Sequence, residues 1–178
     1  MSRRNSMLMS WALVFLACGA GAAKEATMQL TTTAFPLGGT LPLVHTADGP
    51  DVSPALAWSG APAGTRAFAL IMDDPDAPVG LWTHWVVFDL PGDATRLEAS
   101  QPRTATLPGG GRQGRNTWGN LGWNGPSPPP GKAHRYFFRI YALGAPLGLP
   151  PGATVAQVKA AMQDKVLAEG TLMGTYGR

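Results

Sequence analysis

Two segments of this chain concentrate the side chains able to do chemistry. The first is Asp73-Asp74-Pro75-Asp76-Ala77-Pro78, followed closely by Thr83-His84-Trp85. The second runs from Gly125-Pro126-Ser127 through the prolines to Ala133-His134-Arg135-Tyr136. Two of the chain's three histidines lie in these segments. His134 and Tyr136 are two apart where an apolar run begins, so period-two alternation directs both to one face. Asp74 and Asp76 flank Pro75, which holds the backbone extended and leans both carboxylates the same way. With His84 between Trp82 and Trp85, these residues are expected to form a concave site of two imidazoles, a phenol and two carboxylates with aromatic walls. Carboxylates and imidazoles at this density mark a binding or catalytic site.

Catalytic classes find little support. No Gly-x-Ser-x-Gly elbow occurs, so a hydrolase is a minor alternative. No His-x-x-x-His or Glu-x-x-His spacing supports a metal, and no cofactor is expected. Without the histidines, Asp74 and Asp76 would read as turn caps; the full ordered set of motifs reverses that reading. His45 has no polar company and reads as a solvated loop histidine. Gly109 to Arg115 is expected to be a mobile surface turn, since no strand feeds it.

The elements that must position the site are strands. Met28 to Phe35 is extended and threonine-rich, while Ala67 to Met72, Trp85 to Leu90 and Tyr136 to Leu143 are short apolar runs bounded by glycine or proline. No helical patterns separate them, which favours an antiparallel β-sandwich over a parallel α/β sheet. One helix is expected near the C-terminus. Thr154 and Gln157 make a capping box, Val155, Val158, Met162 and Val166 form the apolar stripe, and Gly170 ends it. Such a helix would cover a sheet edge. Between Gly92 and Pro130 lies a long stretch with little apolar periodicity, whose glycines and tryptophans imply a loop packed back onto the body.

Residues 1–23 read as a secretory signal peptide. Arg3 and Arg4 supply the positive start, Met7 to Ala17 an apolar run too short to span a membrane, and Ala20-Gly21-Ala22 a small-residue site for cleavage after Ala22 or Ala23. Lipidation at Cys18 is a secondary reading, because bulky Leu16 fits that signal poorly. The mature protein would be periplasmic or secreted. Either way no cysteine remains for an internal disulfide. Cleavage removes two arginines and no acid, so the net charge falls from +3 to +1. With no basic run left, nucleic acid is not an expected partner. Residues 24–178 suffice for one domain with its own core.

Taken in order, Asp-Pro-Asp-Ala-Pro at 74–78, His84-Trp85 before an apolar strand, Gly125-Pro126-x-Pro128-Pro129, His134-Arg135-Tyr136 and Leu172-Met173-Gly174-Thr175-Tyr176 resemble the phosphatidylethanolamine-binding protein family, in its bacterial Raf-kinase-inhibitor-like branch. The resemblance runs from about Phe35 to the C-terminus. It implies an antiparallel β-sandwich and a non-enzymatic pocket for phosphate groups such as the phosphorylethanolamine head group. The pocket walls would be Asp74, Asp76, His84, Gly125, Pro126, His134 and Tyr136. An aspartate beside a histidine would fix its tautomer and favour the imidazolium, which donates to phosphate oxygens as the phenol does. Free N–H groups of the glycine-proline loop would add donors. Two departures stand out: Ser127 where relatives often carry cysteine, and Trp123 where tyrosine is common, the latter expected to reshape the mouth. Kinase inhibition does not carry over. Bacterial relatives imply a possible homodimer. A protein-interaction module that inhibits a protease or another enzyme through the 92–130 loop is the alternative from another class.

Overall fold

The computed structural model describes residues 26–178, so the predicted signal peptide and Cys18 lie outside the described residues. In chain order the strands are β1 (Ala26–Thr27), β2 (Gln29–Thr31), β3 (Leu56–Ser59), β4 (Ala67–Asp74), β5 (Trp82–Pro91), β6 (Arg96–Leu97), β7 (Arg112–Gln113), β8 (His134–Leu143) and β9 (Val166–Tyr176); the helix α1 (Val155–Met162) precedes β9. They form a six-stranded sheet, β1-β9-β8-β4-β5-β7, and a three-stranded sheet, β2-β3-β6. Every pairing is antiparallel except β1 with β9. The mostly β, antiparallel architecture expected from the sequence is the one observed.

The two sheets enclose one apolar cluster. Leu30, Leu56 and Trp58 of the small sheet meet Phe68, Leu70, Phe138 and Ile140 of the large one. A second cluster lies on the outer face of the large sheet, where Val158 and Met162 of α1 cover Ala69, Ile71, Val86 and Phe88. Strand β4 is therefore buried on both faces along its whole length. That is why its sequence is a continuous apolar run without alternation.

The helix differs from expectation in extent and seat. Its capping box is present: Gln157 N–H donates to Thr154 Oγ1 at 3.3 Å, and Thr154 N–H to Gln157 Oε1 at 2.8 Å. It ends at Met162, however, and it covers a sheet face where an edge was expected. Val166 and Gly170 belong to β9, which pairs with β8 from Leu143↔Val166 to His134↔Tyr176. The inward positions of β9 are Ala168, Gly170, Leu172 and Gly174. Three of the four have little or no side chain, so the period-two pattern carried almost no apolar signal. A Cβ on Gly170 would meet the Met28 carbonyl oxygen at 2.7 Å, which accounts for the small residue.

Two further expectations are overturned. His45 is buried, and its Nδ1–H donates to the Val52 carbonyl at 2.8 Å. Trp123 lies in the core away from the pocket mouth, edge-on to Trp85 and stacked with Phe138. The 92–130 stretch does pack back onto the body. Its anchors are β6, β7 and the buried Gln113, which accepts from Trp85 Nε1 at 2.8 Å and donates to the carbonyls of Pro102 and Thr104 at 2.7 Å each.

Candidate functional site

Strands β8, β4 and β5 are neighbours, and their registers bring the C-terminal end of β4 beside the N-terminal ends of the other two. Asp74 pairs with Trp82, and Asp73 with Phe137. Asp74, His84, His134 and Tyr136, spread over 63 positions of sequence, thus meet at one end of the large sheet. They line a cavity of about 440 Å³, walled also by Gly125 and Asn124 and by Trp82 and Trp118.

Each imidazole is held through the same ring nitrogen. His134 Nδ1–H donates to Asp74 Oδ2 at 2.8 Å, and His84 Nδ1–H donates to the Asn124 carbonyl at 2.7 Å. A carbonyl and a carboxylate only accept, so both tautomers are set. Both Nε2 atoms are left without a partner among the described residues. Tyr136 fixes the spacing between the rings. Its ring stands edge-on to His84 at 5.3 Å and roughly parallel to His134 at 6.5 Å. Trp118 closes the other side of His84, edge-on at 5.0 Å, and meets Trp82 at 5.1 Å.

The electrostatics follow from burial. Desolvation pushes the His84 pKa below its ordinary 6.5, against the opposing pull of the Asn124 carbonyl and the Asp74 charge. Burial, then the nearby Asp74 charge, raises the Tyr136 phenol well above its ordinary range, so it keeps its proton. No lysine or arginine is among the lining residues. Among the described residues no group of three or more His, Cys, Asp or Glu side chains is arranged to hold a metal ion.

Asp76 takes a different place from the one its spacing predicts. Its carboxylate turns to Arg135, accepting from Nε and Nη2 at 2.8 Å each and from the backbone N–H at 2.9 Å, and it does not line the cavity. The guanidinium holds its pKa well below the usual carboxylate range. Its backbone N–H donates to Asp74 Oδ1 at 2.8 Å. The two aspartates therefore diverge, because the chain turns directly after Asp74 rather than continuing extended. Pro126 is buried behind the wall, where its carbonyl accepts from Ala47 N–H at 2.9 Å.

The glycine-proline loop supplies fewer donors than expected. The Gly125 N–H is spent on Asp51 Oδ1 at 2.7 Å. A Cβ on Gly125 would lie 2.6 Å from that oxygen and 2.7 Å from the His45 carbonyl. Glycine is required here by close approach.

Sequence reading missed the residues that hold this wall. Asp51 bridges Gly125 to Arg103. Buried Asn116 accepts from the N–H groups of Trp118 and Asn120 at 3.1 and 3.0 Å and donates to Asn124 Oδ1 at 2.7 Å, so one side chain shapes the turn carrying Trp118 and Asn124. The only local signal is that asparagine is a turn former.

A model of the phosphatidylethanolamine-binding protein family matches residues 31–177. Curated relatives include a UPF0098 protein of Methanothermobacter thermautotrophicus, 50% identical over 151 residues that cover 85% of this chain and 99% of the relative. Another, from Aquifex aeolicus, is 44% identical over 155 residues, covering 86% and 90%. Among solved structures, Escherichia coli YbcL, described as a member of the mammalian PEBP family, superposes with a TM-score of 0.80 at 34% identity, covering 86% of this chain and 99% of its own. CT736 of Chlamydia trachomatis, described as a homologue of the phosphatidylethanolamine-binding protein, gives 0.78 at 36% identity with the same coverage. By a family match over most of its length and by these relatives, the chain belongs to the phosphatidylethanolamine-binding protein family.

Proposed function

We propose that this protein is a non-enzymatic receptor for a small phosphate-bearing molecule or phospholipid head group, of the phosphorylethanolamine kind. The observation that carries the reading is the paired presentation of His84 and His134. Each ring is anchored through Nδ1, and each Nε2 is left free at one cavity. In their protonated forms two such atoms are charge-assisted donors to a tetrahedral oxyanion. The Tyr136 hydroxyl adds a donor that does not ionise. Asp74 is the positioning residue, since both its oxygens are engaged with His134 and the Asp76 backbone. The pocket holds its ligand through hydrogen bonds and releases it unchanged. The leader-like N-terminus supports a location outside the cytoplasm, and intact-mass measurement of exported protein should find it starting at Ala23 or Lys24.

The test is a titration of ¹⁵N-labelled protein with phosphorylethanolamine. Amide shifts around His84 and Tyr136 are expected to saturate by millimolar ligand and to vanish in His84→Ala, with the rest of the spectrum still folded. Absence of any saturable shift in the unmodified protein rules the reading out.

A further inference from the structure

The donor and acceptor inventory of the pocket imposes a condition on any anion that enters. Neutral His84 and His134 both carry their single proton on Nδ1, where the Asn124 carbonyl and the Asp74 carboxylate take it. Each Nε2 is then a lone pair, so the neutral pocket offers two acceptors where an oxyanion needs two donors. Beside them stands Asp74, buried and bearing no arginine or lysine partner.

Fixed cations nearby do not redress this. Arg135 is spent on Asp76, Arg103 on Asp51 and Arg178 on Asp48, and none of the three lines the cavity. Neutral donors exist at the Asn124 side-chain amide, the Ser127 N–H and the Tyr136 hydroxyl, but they bring no charge. The Trp82 indole N–H has no partner among the described residues and is closed off from the surface.

We infer that oxyanion binding in this pocket is coupled to proton uptake, so that the site loads at lower pH and unloads at higher pH. The inference rests on the anion-receptor reading above and adds its regulation. The proton enters at Nε2 of His84 or His134, or arrives as a P–OH on the ligand itself. Either route draws a proton from neutral solution, because a phosphate monoester is mostly dianionic there.

His84 is the stronger candidate for the site of uptake. The groups that face it are Asp74 from β4, Tyr136 from β8, and the Asn124 carbonyl and Trp118 from the 116–125 turn, with the charges of Asp73 and Asp51 farther off. His134 is faced by Asp74 and Tyr136 and pairs across to Tyr176 of β9, with Arg135-bound Asp76 beyond. Burial holds empty His84 neutral; an oxyanion against its Nε2 reverses that preference.

Isothermal titration calorimetry tests this with two probes, the monoester phosphorylethanolamine and the diester glycerophosphoethanolamine. The diester carries one permanent negative charge and no titrating P–OH, so it stands for a lipid head group and isolates the imidazoles. Each probe is titrated at pH 5.5 to 8.5, and at pH 7.5 in two buffers of different ionisation enthalpy. The expected result is net uptake approaching one proton, with affinity falling about tenfold per pH unit above the His84 pKa. Uptake with both probes places the proton on the protein. Uptake with the monoester alone places it on the ligand, and the coupling stands. Saturable binding with no buffer dependence for any probe that binds, and affinity constant within twofold from pH 6 to 8, overturns the inference and leaves the receptor reading intact. No binding of either probe at any pH overturns both. His84→Gln, an uncharged amide donor, should flatten the pH profile; should it fail to fold, the two-buffer measurement on the unmodified protein decides.

Discussion

Asp74 and His134 are joined by a 2.8 Å bond between carboxylate and Nδ1, and both side chains are shielded from water, at 5% and 12% exposure. Sixty positions apart, they lie on adjacent strands at the same end of the sheet. The pair sets the direction of the His134 ring and so the location of its free nitrogen. The paired presentation of His134 with His84 depends on that orientation.

Truncating the carboxylate should be costly. In Asp74→Ala the His134 Nδ1–H and the Asp76 N–H both lose their acceptor in a largely buried setting. A loss of about 2–4 kcal/mol is expected in urea unfolding, together with loss of phosphorylethanolamine binding. Asp74→Asn should fold better and bind an oxyanion more tightly at neutral pH, since an amide oriented as donor forces the proton of His134 to Nε2, where it can be donated to the ligand.

Asp76 separates the geometric reading from the motif. Its carboxylate is committed to Arg135 outside the cavity. Asp76→Asn should therefore leave ligand affinity within about twofold, whereas Asp74→Asn should not. Calorimetry of both variants under one condition makes the comparison.

Gly125 is held between Asp51 and the His45 carbonyl. Gly125→Ala forces a methyl against Asp51 Oδ1 and the His45 carbonyl, and a loss of about 1–3 kcal/mol is expected, seen as a lower melting temperature. The displaced Asn124 carbonyl should weaken its hold on His84, so binding should fall further than stability alone explains.

Burial of neutral His84 has a consequence for acid stability. Its folded pKa lies below 6.5, so the unfolded chain binds the proton first as pH falls. Its contribution is full above pH 6.5 and is lost progressively below it, until folded His84 itself protonates. Urea midpoints should decline from pH 7 toward pH 5, and His84→Gln should reduce that slope. Saturating glycerophosphoethanolamine should flatten it too, because a bound oxyanion favours the imidazolium in the folded state.

Some of this molecule is legible in the linear chain. The apolar runs of β4, β5 and β8 declare themselves by length and by the proline and glycine that bound them, and the Thr154–Gln157 capping box marks where α1 begins. The alternation of His134 and Tyr136 is also local, since it needs only a strand. By contrast β9 was hidden, because Ala168, Gly170 and Gly174 fill its inward face and give no hydrophobic period. Asp76 and the 116–125 turn were decided by contacts across the fold. Whether a carboxylate faces a pocket depends on which cation stands nearby, and Arg135 is 59 positions away. The tautomers of His84 and His134 are likewise set by acceptors brought in by tertiary packing, 40 and 60 positions distant. Side-chain types determined that imidazoles and carboxylates were available. Only the three-dimensional arrangement decided which nitrogen of each ring was free to meet a ligand, because hydrogen-bond direction is a property of neighbours in space.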